Sequence, residues 1–144
     1  MRIYLDNCCF NRPFDGQDQL RIRLETEAKL GIQEEIFLGR IELVWSYILD
    51  YENQFNPFDE RREAIQKWKS HAVIDVEESD EVLTKANQLK GKGIGNKDAL
   101  HIACAIAGKS KYFLTTDEAL IMKLKEMEDV QIMNPTEFVL GEEQ

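Results

Sequence analysis

At 144 residues the chain is long enough to bury the core of one domain, and no stretch is apolar for long enough to span a membrane. Its 27 acidic residues outnumber its 18 basic residues, and the net charge of -9 argues against nucleic-acid binding driven by charge alone. The three cysteines, two of them adjacent, exclude a disulfide framework and a CxxC metal pair. Because Asp6 comes too early for a signal peptide, we expect a cytoplasmic protein.

Short apolar runs that suit buried strands recur along the chain, at residues 2–5, 41–45, 72–76, 112–116 and 130–133. Segments with helical spacing or helix-capping residues lie between and after them, at about 18–38, 46–52, 57–68, 78–91, 97–107, 117–127 and 134–139. This alternation predicts a three-layer α/β/α fold with a central parallel sheet of about five strands. We expect a single domain over residues 1–144.

The sequence also predicts how several elements begin and end. Residues 7–16 predict a loop, because Pro13 and a following Asp-Gly pair are typical of turns. Ser46 and Asn96 are expected to cap the helices that follow them, and Pro57 suits the first turn of the next helix. One face of the longest helix is predicted from apolar residues at four-residue spacing, which are Leu20, Leu24, Ala28, Ile32 and Ile36.

Two of the predicted strands are followed directly by an aspartate, Asp6 after the first strand and Asp117 after the fourth. Ligands bind to parallel sheets outside the carboxyl ends of the strands, so both carboxylates are expected at that edge. Asp98 opens the alanine-rich helix, and Glu52 lies late in the helix after the second strand. Carboxylates that gather repel each other unless a cation separates them, and such oxygen ligands suit Mg²⁺ or Mn²⁺. Hydrolysis of a phosphodiester is the chemistry that this combination favours.

Each of these acids also has an ordinary explanation. Asp98 and Asp117 suit helix N-termini, Asp6 suits a turn, and Glu52 suits a solvent-exposed helix face. His101, one turn after Asp98, is expected to be packed in its helix rather than to act as a general base. The residues alone therefore leave open whether the four acids meet.

The ordered set of motifs resembles the PIN-domain nucleases, which include the VapC-type ribonuclease toxins of toxin–antitoxin pairs. The likeness covers nearly the whole chain. It rests on Ile3-Tyr4-Leu5-Asp6, on Ser46 through Glu52, on Asp98-Ala99-Leu100-His101-Ile102-Ala103, on Thr115-Thr116-Asp117 and on the Asn134-Pro135-x-Glu137-Phe138 ending.

The resemblance implies an endoribonuclease that depends on Mg²⁺ or Mn²⁺, with Asp6, Glu52, Asp98 and Asp117 as its catalytic and metal-binding residues. Water would attack in line and leave a 5′-phosphate and a 3′-hydroxyl. An RNA substrate, an antitoxin partner and a homodimer are further expectations. The alternative is a non-catalytic PIN-fold module that acts through a protein or RNA partner. A HAD-type phosphatase is disfavoured, because Cys8 stands where that class needs a second aspartate.

The loop after Asp6 departs from many relatives, since Asn7 stands where they have Thr or Ser. Asp50 is an alternative to Glu52 as the second acid, although two positions along a helix point in different directions. The residues predicted to contact substrate are Asn7, Asn11, Arg12, Lys97 and Thr116.

Overall fold

The computed structural model describes residues 1–142, and its centre is a five-stranded sheet in which every neighbouring pair is parallel. The strands are β1 (Arg2–Leu5), β2 (Glu42–Ser46), β3 (Ala72–Val76), β4 (Tyr112–Leu114) and β5 (Gln131–Met133). Their spatial order is β3-β2-β1-β4-β5. Helices cover the sheet, so the predicted three-layer α/β/α fold is confirmed. The prediction of one domain over 1–144 extends to residues 143–144, which lie outside the described residues.

Eight α-helices connect and follow the strands in the described part of the chain. They are α1 (Asn7–Asn11), α2 (Leu20–Phe37), α3 (Tyr47–Gln54), α4 (Asp59–Lys67), α5 (Asp80–Gly91), α6 (Asn96–Ala107), α7 (Glu118–Lys123) and α8 (Pro135–Glu142). Short 3-10 turns follow α1 and α4, at Arg12–Phe14 and Trp68–His71. None of the helices described combines the length and the apolar character that crossing a bilayer requires.

Three local predictions were wrong. The predicted loop begins with a helix, α1, because Asp6 accepts a hydrogen bond from the Asn7 amide and two α1 side chains are buried. Gly95, not Asn96, is the N-cap of α6. The helix after Pro57 begins only at Asp59. By contrast, Ser46 caps α3 as predicted, since its hydroxyl accepts from the Leu49 amide.

The order of the strands creates a switch point between β1 and β4. The chain continues from β1 to β2 on one side, whereas β4 pairs with β1 on the other side. Connections therefore diverge at this position, and a crevice forms at the carboxyl ends of the two strands. The Asp6 amide donates to the Leu114 carbonyl over 2.9 Å, which aligns the two strand ends.

A close approach of α6 to the sheet makes Gly108 sensitive to substitution. A Cβ atom at Gly108 would lie 2.6 Å from Cγ1 of Val44, a fully buried residue of β2. We expect Gly108→Ala to lower the free energy of unfolding by roughly 1–3 kcal/mol through overpacking. Gly31→Ala is the matched control, because a Cβ atom there meets nothing within 4 Å and α2 should gain about 0.5–1 kcal/mol. Urea unfolding of the two variants measures the contrast, and equal stabilities would contradict it.

Candidate active site

Asp6 lies at the switch point, and two hydrogen bonds fix its carboxylate. Its Oδ1 accepts from the Asn7 amide over 2.8 Å, and its Oδ2 accepts from the Thr115 hydroxyl over 2.8 Å. The same hydroxyl oxygen accepts from the Asp117 amide over 3.2 Å. Thr115, which was not among the predicted site residues, therefore joins the acid after β1 to the acid after β4.

Asp117 is the N-cap of α7, and its Oδ1 accepts from the Leu120 amide over 3.1 Å. The ordinary explanation for Asp117, a helix cap, is thus correct. It does not remove the residue from the site, because a carboxylate has a second oxygen and further lone pairs.

Asp98 is half-buried in the first turn of α6. Burial raises the pKa of Asp98, and the negative charges of Asp6 and Asp117 raise it further. Glu52 adds to the repulsion, whereas His101 opposes it. These charge effects indicate that Asp98 faces the other acids, and Thr115 joins two of them, Asp6 and Asp117, through its hydroxyl.

Glu52 reaches this region from α3. Its Oε2 accepts from the Asn7 side-chain amide over 3.2 Å, and its Oε1 is hydrogen-bonded to His101 Nε2. Burial alone would raise the pKa of Glu52, but the hydrogen bond and charge of His101 outweigh it, and the pKa is lowered. Asp50 faces elsewhere, because Trp45, Gln66 and Lys69 hold its carboxylate at 2.9–3.1 Å. The structure therefore brings Glu52, not Asp50, to the other acids.

His101 is buried in α6, as expected, and it also makes polar contacts that the sequence did not reveal. Its Nδ1 lies 2.6 Å from the Tyr4 hydroxyl, and its Nε2 lies 3.9 Å from Oδ1 of Asp6 in addition to its bond to Glu52. Burial lowers the pKa of His101, but Glu52 and Asp6 raise it by more, so the net direction is upward. In the sequence, the only indication of this role was the position of His101 one helical turn after Asp98.

A family model described as PIN domain matches residues 3–125. This chain belongs to the PIN domain family. The resemblance to PIN domains that the motifs indicated is therefore confirmed. Among curated proteins, none matches the sequence significantly.

Two solved structures have the same fold as this PIN domain. One is a chain of VapBC2 from Rickettsia felis bound to a DNA fragment from its promoter, with 17% identity and a TM-score of 0.60 over 93% of this chain and 98% of that chain. The other is a chain of VapBC-1 from nontypeable Haemophilus influenzae, with 18% identity and a TM-score of 0.53 over 94% and 99%. At these identities, the likeness establishes the fold.

The PIN domain places the residues predicted to contact substrate in different settings. Asn7 lies within the site, and Lys97 is exposed on α6, where its charge helps to lower the pKa of Glu52. Asn11 accepts from Asn56 over 3.3 Å at the edge of α1. Thr116 is buried, and its carbonyl accepts from Arg21 over 2.7 Å.

Arg12 is occupied by two carboxylates rather than turned toward the acids. Its guanidinium pairs with the buried Glu25 at 2.8 Å and with Asp15 at 3.0 Å. This arrangement anchors the segment after α1 to α2.

Cys8 is half-buried at the rim of the site. Its sulfur lies 3.5 Å from Asp6 Oδ2 and 3.5 Å from the Thr115 hydroxyl, and it accepts from the Thr116 amide over 3.4 Å. The thiol thus fills the space between the ends of β1 and β4.

The chemistry of these donors fits a hard divalent cation. Carboxylate and amide oxygens are the ligands that Mg²⁺ and Mn²⁺ prefer. Within residues 1–142, no three side chains of His, Cys, Asp or Glu converge closely enough to form a finished metal site. Two features nevertheless suit a cation. Burial and the repulsion between like charges both raise the pKa of Asp98. The buried side-chain oxygen of Asn7 has no hydrogen-bond partner among the described residues.

Proposed function

We propose that this PIN domain is an endoribonuclease that depends on Mg²⁺ or Mn²⁺ and hydrolyses phosphodiester bonds in RNA. The observation that carries the proposal is a set of shared hydrogen-bond partners at the switch point of the sheet. Asn7 bonds to both Asp6 and Glu52, and the Thr115 hydroxyl bonds to Asp6 and to the Asp117 amide. The charges of these acids also act on Asp98. Membership of the PIN domain family supports nuclease chemistry at this position.

In this proposal the four acids hold one or two cations. A divalent cation bound there lowers the pKa of a bound water and stabilises negative charge on a phosphoryl oxygen. The chain's own contribution is orientation. Thr115 and the Asn7 amide fix the carboxylate of Asp6, while His101 and the Asn7 side chain fix that of Glu52.

Substrate contacts are assigned to polar groups beside the acids. The exposed Lys97 stands close enough to lower the pKa of Glu52, so its ammonium group is available to an RNA phosphate on that side. Asn7, Asn11 and Thr116 lie on the segments that follow β1 and β4 and are further proposed contacts. The net charge of -9 means that binding relies on these local groups and on the cation, not on a broad basic surface.

The biological setting that we propose is the cytoplasmic toxin of a type II toxin–antitoxin pair, as a single domain over 1–144 with an antitoxin partner and a homodimeric state. The fold likeness to chains of two VapBC structures supports this setting. A non-catalytic binding module is the alternative, and a cleavage experiment separates the two.

The test is cleavage of single-stranded RNA by metal-free protein after addition of Mg²⁺, Mn²⁺ or EDTA. We expect cleavage with either ion, none with EDTA, and products with 5′-phosphates in end-group analysis. An Asp6→Asn protein purified in parallel controls for contaminating ribonuclease and should lose more than roughly 100-fold of the activity, since partners of metal ligands alone are worth 10–100-fold. Equal cleavage by both proteins, or none by the wild type across a broad RNA panel, would contradict the nuclease proposal.

A further inference from the structure

We infer that His101 is a positioning residue of this active site, and that with Tyr4 and Ser46 it forms a buried relay that orients the carboxylate of Glu52. The inference rests on the proposed function, because it assigns Glu52 its place in a metal-dependent reaction. The relay joins four elements, since Tyr4 belongs to β1, Ser46 to the end of β2, Glu52 to α3 and His101 to α6.

The hydrogen bonds of the relay form an unbroken chain. The Ser46 hydroxyl accepts from the Leu49 amide in its role as the cap of α3, and it lies 2.6 Å from the Tyr4 hydroxyl. The Tyr4 hydroxyl lies 2.6 Å from His101 Nδ1, and His101 Nε2 bonds to Glu52. The chain therefore begins at the first turn of α3 and returns to a residue near the end of the same helix.

The direction of the final bond follows from the chemistry of its two ends. A carboxylate can only accept, so His101 Nε2 carries the hydrogen and donates it to Glu52 Oε1. The Tyr4 hydroxyl both donates and accepts, so it satisfies Nδ1 whether or not that nitrogen carries a proton. The histidine ring thus keeps one orientation in either protonation state, and Glu52 always faces a donor.

Packing keeps the relay from rotating. Tyr4, Ser46 and His101 are almost completely buried, with exposed fractions of 0%, 0% and 1%. The Tyr4 ring stacks on Phe113 at 5.3 Å and 9°, and it meets the edge of the His101 ring at 5.7 Å and 67°. A side chain held in this way transmits its position to its hydrogen-bond partner.

The position of His101 between two acids explains what the relay contributes. Its Nε2 bonds to Glu52 and lies 3.9 Å from Asp6 Oδ1, so a polarised N–H stands between two carboxylates. Without that donor, Glu52 would keep only the Asn7 amide as a side-chain partner and would turn away from the other negative charges. Hydrogen bonds that orient metal-binding groups are typically worth 10–100-fold in metal affinity or activity.

The test compares His101→Leu with His101→Gln, using binding of Mn²⁺ alone and RNA cleavage as separate measurements. Glutamine carries an amide nitrogen the same number of bonds from Cβ as His Nε2, so it preserves the donor, whereas leucine fills the space without one. We expect His101→Leu to weaken Mn²⁺ binding and lower kcat by about 10–100-fold. His101→Gln should recover most of both losses, and Tyr4→Phe should fall between them.

His71 provides the matched control, because it is the second of the two histidines of the chain and is exposed in the turn after α4. His71→Leu should bind Mn²⁺ and cleave RNA as the wild type does, and thermal unfolding of all variants shows whether each is folded. Wild-type behaviour of His101→Leu, or equal losses in the Gln and Leu variants, would overturn the inference while leaving the nuclease proposal intact. A wild type that neither binds Mn²⁺ nor cleaves RNA overturns both.

Discussion

An Asp98→Asn protein should unfold at a higher temperature than the wild type in EDTA, and it should lose nearly all of its nuclease activity. Burial raises the pKa of Asp98, and the negative charges of Asp6, Asp117 and Glu52 raise it further. A raised pKa means that ionised Asp98 destabilises the metal-free folded protein. Asparagine has nearly the same shape without the charge, so it relieves the repulsion and also removes one of the four proposed metal ligands.

The stability difference between Asp98→Asn and the wild type should depend on pH. Because the folded protein holds the Asp98 proton more tightly than the unfolded chain, the group contributes stability at low pH that is lost as pH rises through its folded pKa. The advantage of Asp98→Asn should therefore be absent near pH 3 and full at pH 7. With Mg²⁺ at pH 7 the wild type should unfold at a higher temperature than Asp98→Asn, because a bound cation stabilises the wild type by mass action and the variant much less.

Asp80→Asn is the control for helix-dipole effects. Asp80 is exposed in the first turn of α5, as Asp98 is in the first turn of α6, but it lies outside the acidic site. Its replacement should lower stability by about 0.3–1 kcal/mol and leave cleavage unchanged. If Asp98→Asn also lowers stability in EDTA, Asp98 is only a dipole partner and the repulsion argument fails.

The sequence predicted those parts of the site that depend on local order. Asp6 comes directly after β1, and Asp117 comes three residues after Leu114, the last residue of β4. The rule that parallel sheets bind ligands at their carboxyl ends therefore predicted both acids at that edge. Asp98 was indicated by the motif at the start of α6. The contact between Glu52 and His101 was not predictable in this way, because it joins residues 49 positions apart on two helices.

The longest helix shows the same limit of local patterns. Four-residue spacing predicted a face with Leu20 and Leu24, yet these two side chains are 61% and 52% exposed. Their neighbours Glu25 and Lys29 are buried instead, at 1% and 3% exposure. Glu25 is satisfied there by Arg12 and by Asn134, partners from distant segments that hydrophobic periodicity does not include. Ala28, Ile32 and Ile36 are buried as the spacing predicted, so tertiary contacts overrode the helical pattern only in the first part of α2.

Lys29 lies in a setting that opposes its charge. Its ammonium group lies 5.3 Å from the ring centre of Phe10 in α1 and 5.8 Å from that of Trp68 in the turn after α4. Burial lowers the pKa of Lys29 to about 7, and the neighbouring Cys9 only partly opposes that shift. In the unfolded chain the group has an ordinary value of 10.5, so folding favours its neutral form.

Lys29→Met should therefore stabilise the protein, by roughly 1–3 kcal/mol at pH 6–7, because an unbranched apolar side chain fills the same space without a buried charge. Between pH 7 and 10.5 the unfolded wild type binds more protons than the folded one, so wild-type stability should rise with pH across that range. The advantage of the variant should shrink accordingly. Urea unfolding at pH 6, 7 and 9.5 measures both effects.

Lys67→Met is the matched control, because Lys67 is exposed at the end of α4 and should change the free energy of unfolding by less than about 0.5 kcal/mol at each pH. RNA cleavage by Lys29→Met should equal that of the wild type, because the Lys29 amine packs against Phe10 and Trp68 rather than against the four acids. Lys29→Met could instead be less stable than the wild type at every pH. That result would show that the ammonium group is stabilised by the two aromatic rings and by the Gln33 side-chain oxygen, which accepts from the amine when the Gln33 amide is turned over. If Lys29→Met is more stable than the wild type at pH 6 and the two proteins are equally stable at pH 9.5, the buried amine of Lys29 destabilises the folded protein when it is charged.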